Sequence, residues 1–288
     1  LLIKNLGNLM KLIKVALIGI MLSYSSSYAA DSPIELPSSI PVDVFKIDEN
    51  QRGIGYIGFN VNLELEDDFF EDKIGDVDFE SQGFIYSKPG SGSLGVLGEM
   101  FEFSYTVGTV EGEIINSNFT ENGITYNNTY DKDGFYVGIR PSYSREINAG
   151  DSFKIKSSTT LHAFFYNVSG DFSVNNGTNS YRYDEDNYGL ALKPTTVIQG
   201  TYYPSENFAL TLHGGLSTFV AIDWVFYDDG AFDEDNEVEF LSSGINPVFG
   251  YDISYRFNNG SMFNISSIIS AREEDDSVET VIRYFYSF

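Results

Sequence analysis

Cysteine is absent from all 288 residues. That excludes the disulfide staples on which small exported domains often rely. Histidine occurs twice and tryptophan once, so any histidine chemistry must run through His162 or His213. No segment approaches the 18 or so consecutive apolar residues of a transmembrane helix. Basic residues are few: 17 Lys and Arg stand against 42 Asp and Glu, a formal charge of −25. Such a surface repels phosphate backbones and excludes nucleic acid as a partner.

Aromatic residues are plentiful instead, at 16%, with 24 Phe and 20 Tyr. Glycine reaches 27, while hydrophobic residues stop at 42%. The amino-terminal stretch reads as an export signal. Met10 is followed by Lys11 and Lys14, an apolar run from Val15 to Leu22, and the small-residue site Ser27-Tyr28-Ala29. Eight apolar residues are too few to cross ~30 Å of hydrocarbon. Residues 1–29 are therefore expected to be a cleaved signal peptide. Cleavage would remove Lys4, Lys11 and Lys14 and no acid, taking the charge from −25 to −28. Pro33, Pro37 and Pro41 then recur every four residues, which blocks helix and ladder pairing. Residues 30–52 are expected to form a periplasmic leader that links outward or enters a barrel mouth.

From Gly53 onward the chain alternates with a period of two. Ile57, Phe59, Val61, Leu63 and Leu65 oppose Tyr56, Gly58, Asn60, Asn62 and Glu64. Phe135, Val137 and Ile139 oppose Tyr136, Gly138 and Arg140; Leu210 and Leu212 oppose Thr211 and His213. Such runs are strands with one apolar face. Several run 12 to 20 residues, longer than the ~5–6 of a soluble sandwich strand and enough to cross a bilayer on a tilt. Strands are predicted at 53–66, 79–88, 93–111, 134–147, 152–174, 187–203, 208–227, 240–257, 262–272 and 278–288. The reading is all-β: a single closed antiparallel transmembrane barrel over 53–288, of about ten strands, with eight or twelve as alternatives. Four short turns, such as Pro89-Gly90-Ser91-Gly92 and Asn258-Asn259-Gly260-Ser261, alternate with longer segments around 67–78, 112–133, 175–186, 228–239 and 273–277. The acids crowd into the longer segments, as in Asp184-Glu185-Asp186 and Glu273-Glu274-Asp275-Asp276. Short turns facing the periplasm and acidic loops facing outward is the expected asymmetry.

The last strand reads V-E-T-V-I-R-Y-F-Y-S-F. Val278, Ile282, Tyr284, Tyr286 and Phe288 share one parity. This resembles the closing strand of Gram-negative outer-membrane β-barrels, at class level the OmpA-like and opacity-type small barrels. The resemblance implies an outer-membrane location among lipid and lipopolysaccharide. It also implies an assembly signal at Tyr284, Tyr286 and Phe288 read by the barrel-assembly machinery.

Inward parity is assigned to Glu64, Glu102, Arg140, Glu146, Lys154, Lys156, Lys193, His213, Asp223, Asp252, Arg256, Glu279 and Arg283. Charges of both signs predict a cross-strand ion-pair network in a polar lumen. Ten strands leave a narrow interior, since about eight are filled by side chains and open channels appear near sixteen. Omptin-type proteolysis needs an Asp-x-His, but Thr160 and Thr211 stand two places before the two histidines. A lipid hydrolase using His-x-Ser finds only His162-Ala-Phe and His213-Gly-Gly. Asp228, Asp229, Asp233 and Asp235 offer oxygen ligands without EF-hand spacing, so divalent cations are expected only loosely at the acidic loops. No cofactor or dedicated metal site is expected. The function expected is a structural or surface-interaction barrel, with a narrow porin and an outer-membrane hydrolase as alternatives.

Overall fold

The computed structural model describes residues 47, 49–67, 72–114, 118–121, 124–150, 152–175, 180–228, 236–271 and 276–287. The expected signal peptide, most of the leader, and Phe288 lie outside the described residues. The strands are β1 (Gln51–Asp67), β2 (Asp72–Pro89), β3 (Glu99–Ile114), β4 (Asn118–Glu121), β5 (Ile124–Ala149), β6 (Phe153–Asn175), β7 (Ser180–Ser205), β8 (Phe208–Asp228), β9 (Asn236–Arg256), β10 (Met262–Ala271) and β11 (Asp276–Ser287). β4 is a four-residue arm that pairs only with β5. The other ten form a continuous antiparallel sheet in which β1 pairs with β11 and β3 pairs with β5, so the sheet closes. The ten-strand count holds, including the strand expected at 79–88, which spans 72–89.

The register fixes the barrel's size. From Phe208 on β8 the cross-strand partners run to Tyr255, Phe263, Tyr284, Ile54, Tyr86, Tyr105, Ile139, Ala163, Leu192 and back to β8 at Val220, twelve residues further along. With ~3.3 Å per residue and ~4.8 Å between strands, that stagger tilts the strands by about 40° and sets a backbone radius of about 10 Å. Side chains from opposite walls meet across such a width.

Outside, an apolar belt rings the molecule: Tyr56, Phe84, Val107, Val137, Leu190, Leu216, Phe249 and Ile282 are all exposed. Aromatic rings cluster at its margins. At the short-turn end Tyr255 and Phe257 meet edge-on at 4.9 Å, with Tyr284 beyond at 6.4 Å. Toward the other end Tyr188 and Phe226 meet at 5.8 Å and 88°. A closed sheet with a greasy exterior and aromatic margins is a transmembrane β-barrel of the outer-membrane type.

Three expectations are corrected. The segments 112–133 and 175–186 are largely strand rather than loop: β5 and β7 each run 26 residues, against the ~9–11 needed to cross a bilayer. The extra length stands above the belt. Its acids therefore line up along the ladder. Glu113 pairs with Asp131, Asp131 with Asp171, and Asp171 with Asp184; Glu80 pairs with Glu111 and Glu111 with Asp133. All seven side chains are exposed. Finally, β1 is inverted. Ile57 and Phe59 point inward and Ile54 and Tyr56 outward. Alternation shows that a strand has two faces, and here the interior needed the isoleucine: Ile57 packs with Ile85 and Val281.

The exterior therefore has two zones on one face. Leu212, 72% exposed within the belt, should not tolerate charge: Leu212→Arg is expected to cost about 2–4 kcal/mol if near the midplane and less toward an interface. Asp133→Arg, outward but above the belt, should stay within about 0.5 kcal/mol of wild type. Urea unfolding in lipid vesicles measures both, and equal losses would contradict the zoning.

Candidate functional site

The lumen is where the sequence placed its chemistry, and the structure fills it in layers. At the short-turn end Ala209, Met262 and Phe285 form an apolar floor, with Ile47 and Tyr203 packed against it. Inward alternation on β8, β10 and β11 turns these three inward at the same end of the barrel, with β9 between β8 and β10.

Above the floor lies an ionic layer. Arg283 on β11 donates from one terminal nitrogen to both oxygens of Glu102 on β3, at 3.0 and 3.1 Å. Its Nε and second terminal nitrogen donate to Asn264 Oδ1 at 3.2 and 2.7 Å. Asn264 in turn donates to Ser254 Oγ at 3.0 Å. Ser87 and Ser104 both donate to Glu102 Oε1. One carboxylate and one guanidinium thus tie five strands, and every member is buried. Nearby, His213 Nδ1 lies 3.0 Å from Asp252 Oδ2. The two are close as an ion pair, but neither His213 nitrogen is aligned as a hydrogen bond.

Two apolar groups come next, Val197 with Val248 and Ile268, and Ile57 with Ile85 and Val281. Arg140 projects from β5 with 0% exposure. Glu279 and Glu102 supply its countercharge, and Arg283 adds a like charge. His162 Nε2 sits 3.1 Å from Thr106 Oγ1, and its ring lies 4.8 Å from Phe164. Lys193 places its ammonium 5.9 Å from the Phe59 ring centre. Phe164 then stacks 6.2 Å from both Tyr166 and Phe219 in an aromatic layer. Glycine makes room for the largest of these side chains. Tyr136 lies across Gly83 and Gly108, and Tyr166 lies across Gly189, where any β-carbon would collide with the ring.

The assigned lumenal residues divide clearly. Glu102, Arg140, Lys193, His213, Asp223, Asp252 and Arg283 are buried inside, as is Glu279. Glu102 with Arg283 and His213 with Asp252 are the pairs the fold assembles. Asp223 lies higher, 3.5 Å from Asn187 Nδ2. Glu146 is corrected: it keeps inward parity but lies past the floor at the short-turn end, where it is exposed. Arg256, at the same end, is half-buried. Lys154 is also half-buried there, and its ammonium sits over Tyr203. The side chain of Glu64 lies outside the described residues. Of the assembly residues, Tyr284 faces outward and Tyr286 is half-buried on the same parity. Charge-based reading missed the neutral members Asn264, Ser254, Ser87, Ser104 and Thr106. Inward parity alone, applied to polar residues of any kind, would have found them.

No protein-family model matches this chain, and no curated protein matches it. Solved structures of similar shape include three barrels. The outer membrane protease OmpT of Escherichia coli aligns at 8% identity over 85% of this chain and 99% of its own, with a TM-score of 0.49. The translocator domain of the autotransporter NalP of Neisseria meningitidis aligns at 13% over 83% and 88%, with a TM-score of 0.43. Ail, the attachment invasion locus protein of Yersinia pestis, aligns at 11% over 84% and 100%, with a TM-score of 0.31. The barrel assignment stands on the chain's own register and faces.

Glu102 and Arg283 are far apart in sequence and buried together, so breaking the pair leaves a bare charge. Glu102→Leu or Arg283→Met alone should each cost about 3–5 kcal/mol. The double variant Glu102→Leu/Arg283→Met should cost clearly less than the two singles combined. Urea unfolding of the four proteins in micelles provides the cycle, and additive losses would show that the two side chains are not coupled.

Proposed function

We propose that this chain is a closed outer-membrane barrel with a structural or surface-interaction role, holding an acidic collar above the membrane. The observation that supports this most is the filling of the lumen: an apolar floor, an ionic layer, apolar clusters and an aromatic layer succeed one another along the axis of a barrel about 20 Å wide. A narrow porin would need a polar path through those layers. The hydrolase alternative gains nothing from His162 or His213, since both rings are buried among lumenal side chains.

The orientation follows the usual asymmetry, with short turns in the periplasm and long strand ends outside. On that orientation the collar meets the lipopolysaccharide surface, and the belt meets lipid acyl chains. Tyr284, Tyr286 and Phe288 are the residues the barrel-assembly machinery would read. Like charges directly opposite on a ladder destabilise it, so the collar gathers counter-ions. Divalent cations are its natural diffuse partners, bridging it to lipid phosphates.

The closed-barrel reading is tested in planar bilayers. The purified protein should show no conductance steps in molar KCl, and stable unitary steps would replace this reading with the porin. The collar is tested by heat. Raising ionic strength from about 0.01 to 0.15 M shortens the screening length from ~30 to ~8 Å, so Tm in detergent should rise, and Asp171→Asn should blunt the rise. A Tm that falls with salt would show that the acidic rows are not under repulsion.

A further inference from the structure

The described chain does not begin at β1. Ile47 packs onto the apolar floor of Ala209, Met262 and Phe285. Glu49 and Gln51 are held by hydrogen bonds. Gln51 Nε2 donates to the carbonyl of Gly260 in the β9–β10 turn at 2.6 Å. One terminal nitrogen of Arg52 donates to the carbonyls of Glu49 and Gln51, at 2.8 and 2.7 Å. Ile47, Glu49 and Gln51 thus act as a strap at the short-turn mouth, with the Ile47 side chain set into it.

Directly above the floor, four neighbouring strands carry a contiguous polar patch. Gln199 on β7 is the cross-strand partner of His213 on β8, and Asp252 on β9 is the partner of Ser266 on β10. All four are buried. Among the described residues, both amide atoms of Gln199 and the hydroxyl of Ser266 have no hydrogen-bond partner, and neither Asp252 oxygen nor His213 nitrogen is aligned for one. Buried polar atoms in folded proteins are almost always satisfied, by protein or by water, because leaving one bare costs free energy. Val197, Val248 and Ile268 close the patch on its far side.

We propose that this polar patch lines a chamber for water and water-sized neutral solutes, entered only through the short-turn mouth, and that the strap at Ile47 is its stopper. The patch offers donors and acceptors together: an amide, a hydroxyl, a carboxylate and an imidazole. That mixture suits neutral molecules that both give and accept hydrogen bonds. The apolar clusters beyond it block a through-path, so the chamber goes beyond the closed-barrel reading without conflicting with it.

The absence of cysteine makes the test direct. Ser266→Cys places one near-isosteric thiol in the chamber, and its rate of reaction with a small neutral methanethiosulfonate reports access. The full chain is refolded in detergent, and only protein with barrel-type heat-modifiable mobility is scored. Adding Ile47→Asp should speed labelling about tenfold or more, the scale set by losing burial of one isoleucine side chain. Gln51→Ala, which cuts the stitch to Gly260, should act in the same direction and serves if Ile47→Asp fails to fold. Gln199→Cys provides a second reporter on another strand. Equal labelling with and without the strap changes, whether fast or absent, overturns the proposal. Silent bilayers with strap-dependent labelling would support both readings, whereas unitary steps would overturn the closed barrel alone.

Discussion

Every backbone amide that enters a bilayer must find its hydrogen-bond partner within the protein, because hydrocarbon offers none. For strands this means closure. In this chain closure happens at two places: β11 returns to β1, and β3 reaches past the short β4 arm to β5. The twelve-residue stagger, the tilt and the narrow bore all follow from how those seams register. So does the division of each strand into a face for lipid and a face for the interior.

The bore then dictates the chemistry inside it. A backbone radius of about 10 Å leaves no room for bulk water beside side chains of this size. Charges placed there are stripped of solvent, and they persist only with partners. Arg283 illustrates the solution, with its nitrogens satisfied by Glu102 and Asn264. Above the bilayer the same ladder faces water, and carboxylates can stand side by side in the collar at modest cost. One sheet thus supports two charge regimes, separated only by height along its strands.

Much of this was legible in the sequence. Period-two alternation located all ten barrel strands, and the parity of Val278, Ile282 and Tyr284 gave the lipid face of β11 correctly. The burial of Glu102, Arg140, Asp252 and Arg283 followed from the same rule. What alternation cannot encode is which of two faces goes inward when both carry apolar residues. That is why β1 was inverted: Ile57 and Ile54 look alike in sequence, and only the company of Ile85 and Val281 distinguishes them. Nor can it encode where a strand stops when its outward residues turn acidic above the membrane, so β5 and β7 were read too short. The meeting of Glu102 with Arg283 depends on the closing seam bringing the end of the chain beside strands near its start. No local pattern carries that information, and no lone charge in the sequence announces its mate.

The strands are not of equal length. β10 and β11 have 10 and 12 residues, whereas β5, β6 and β7 have 26, 23 and 26. The rim is therefore oblique, and the wall is mechanically anisotropic. A pull on the carboxyl end loads β11 first, along its ladders of 10 and 11 pairs with β10 and β1, and then the 9-pair ladder between β10 and β9, the shortest in the closed sheet. The long ladders between β5 and β8 bear load last. Extraction by force should follow a fixed order, with the final hairpin yielding as a unit and the tall wall resisting as the anchor.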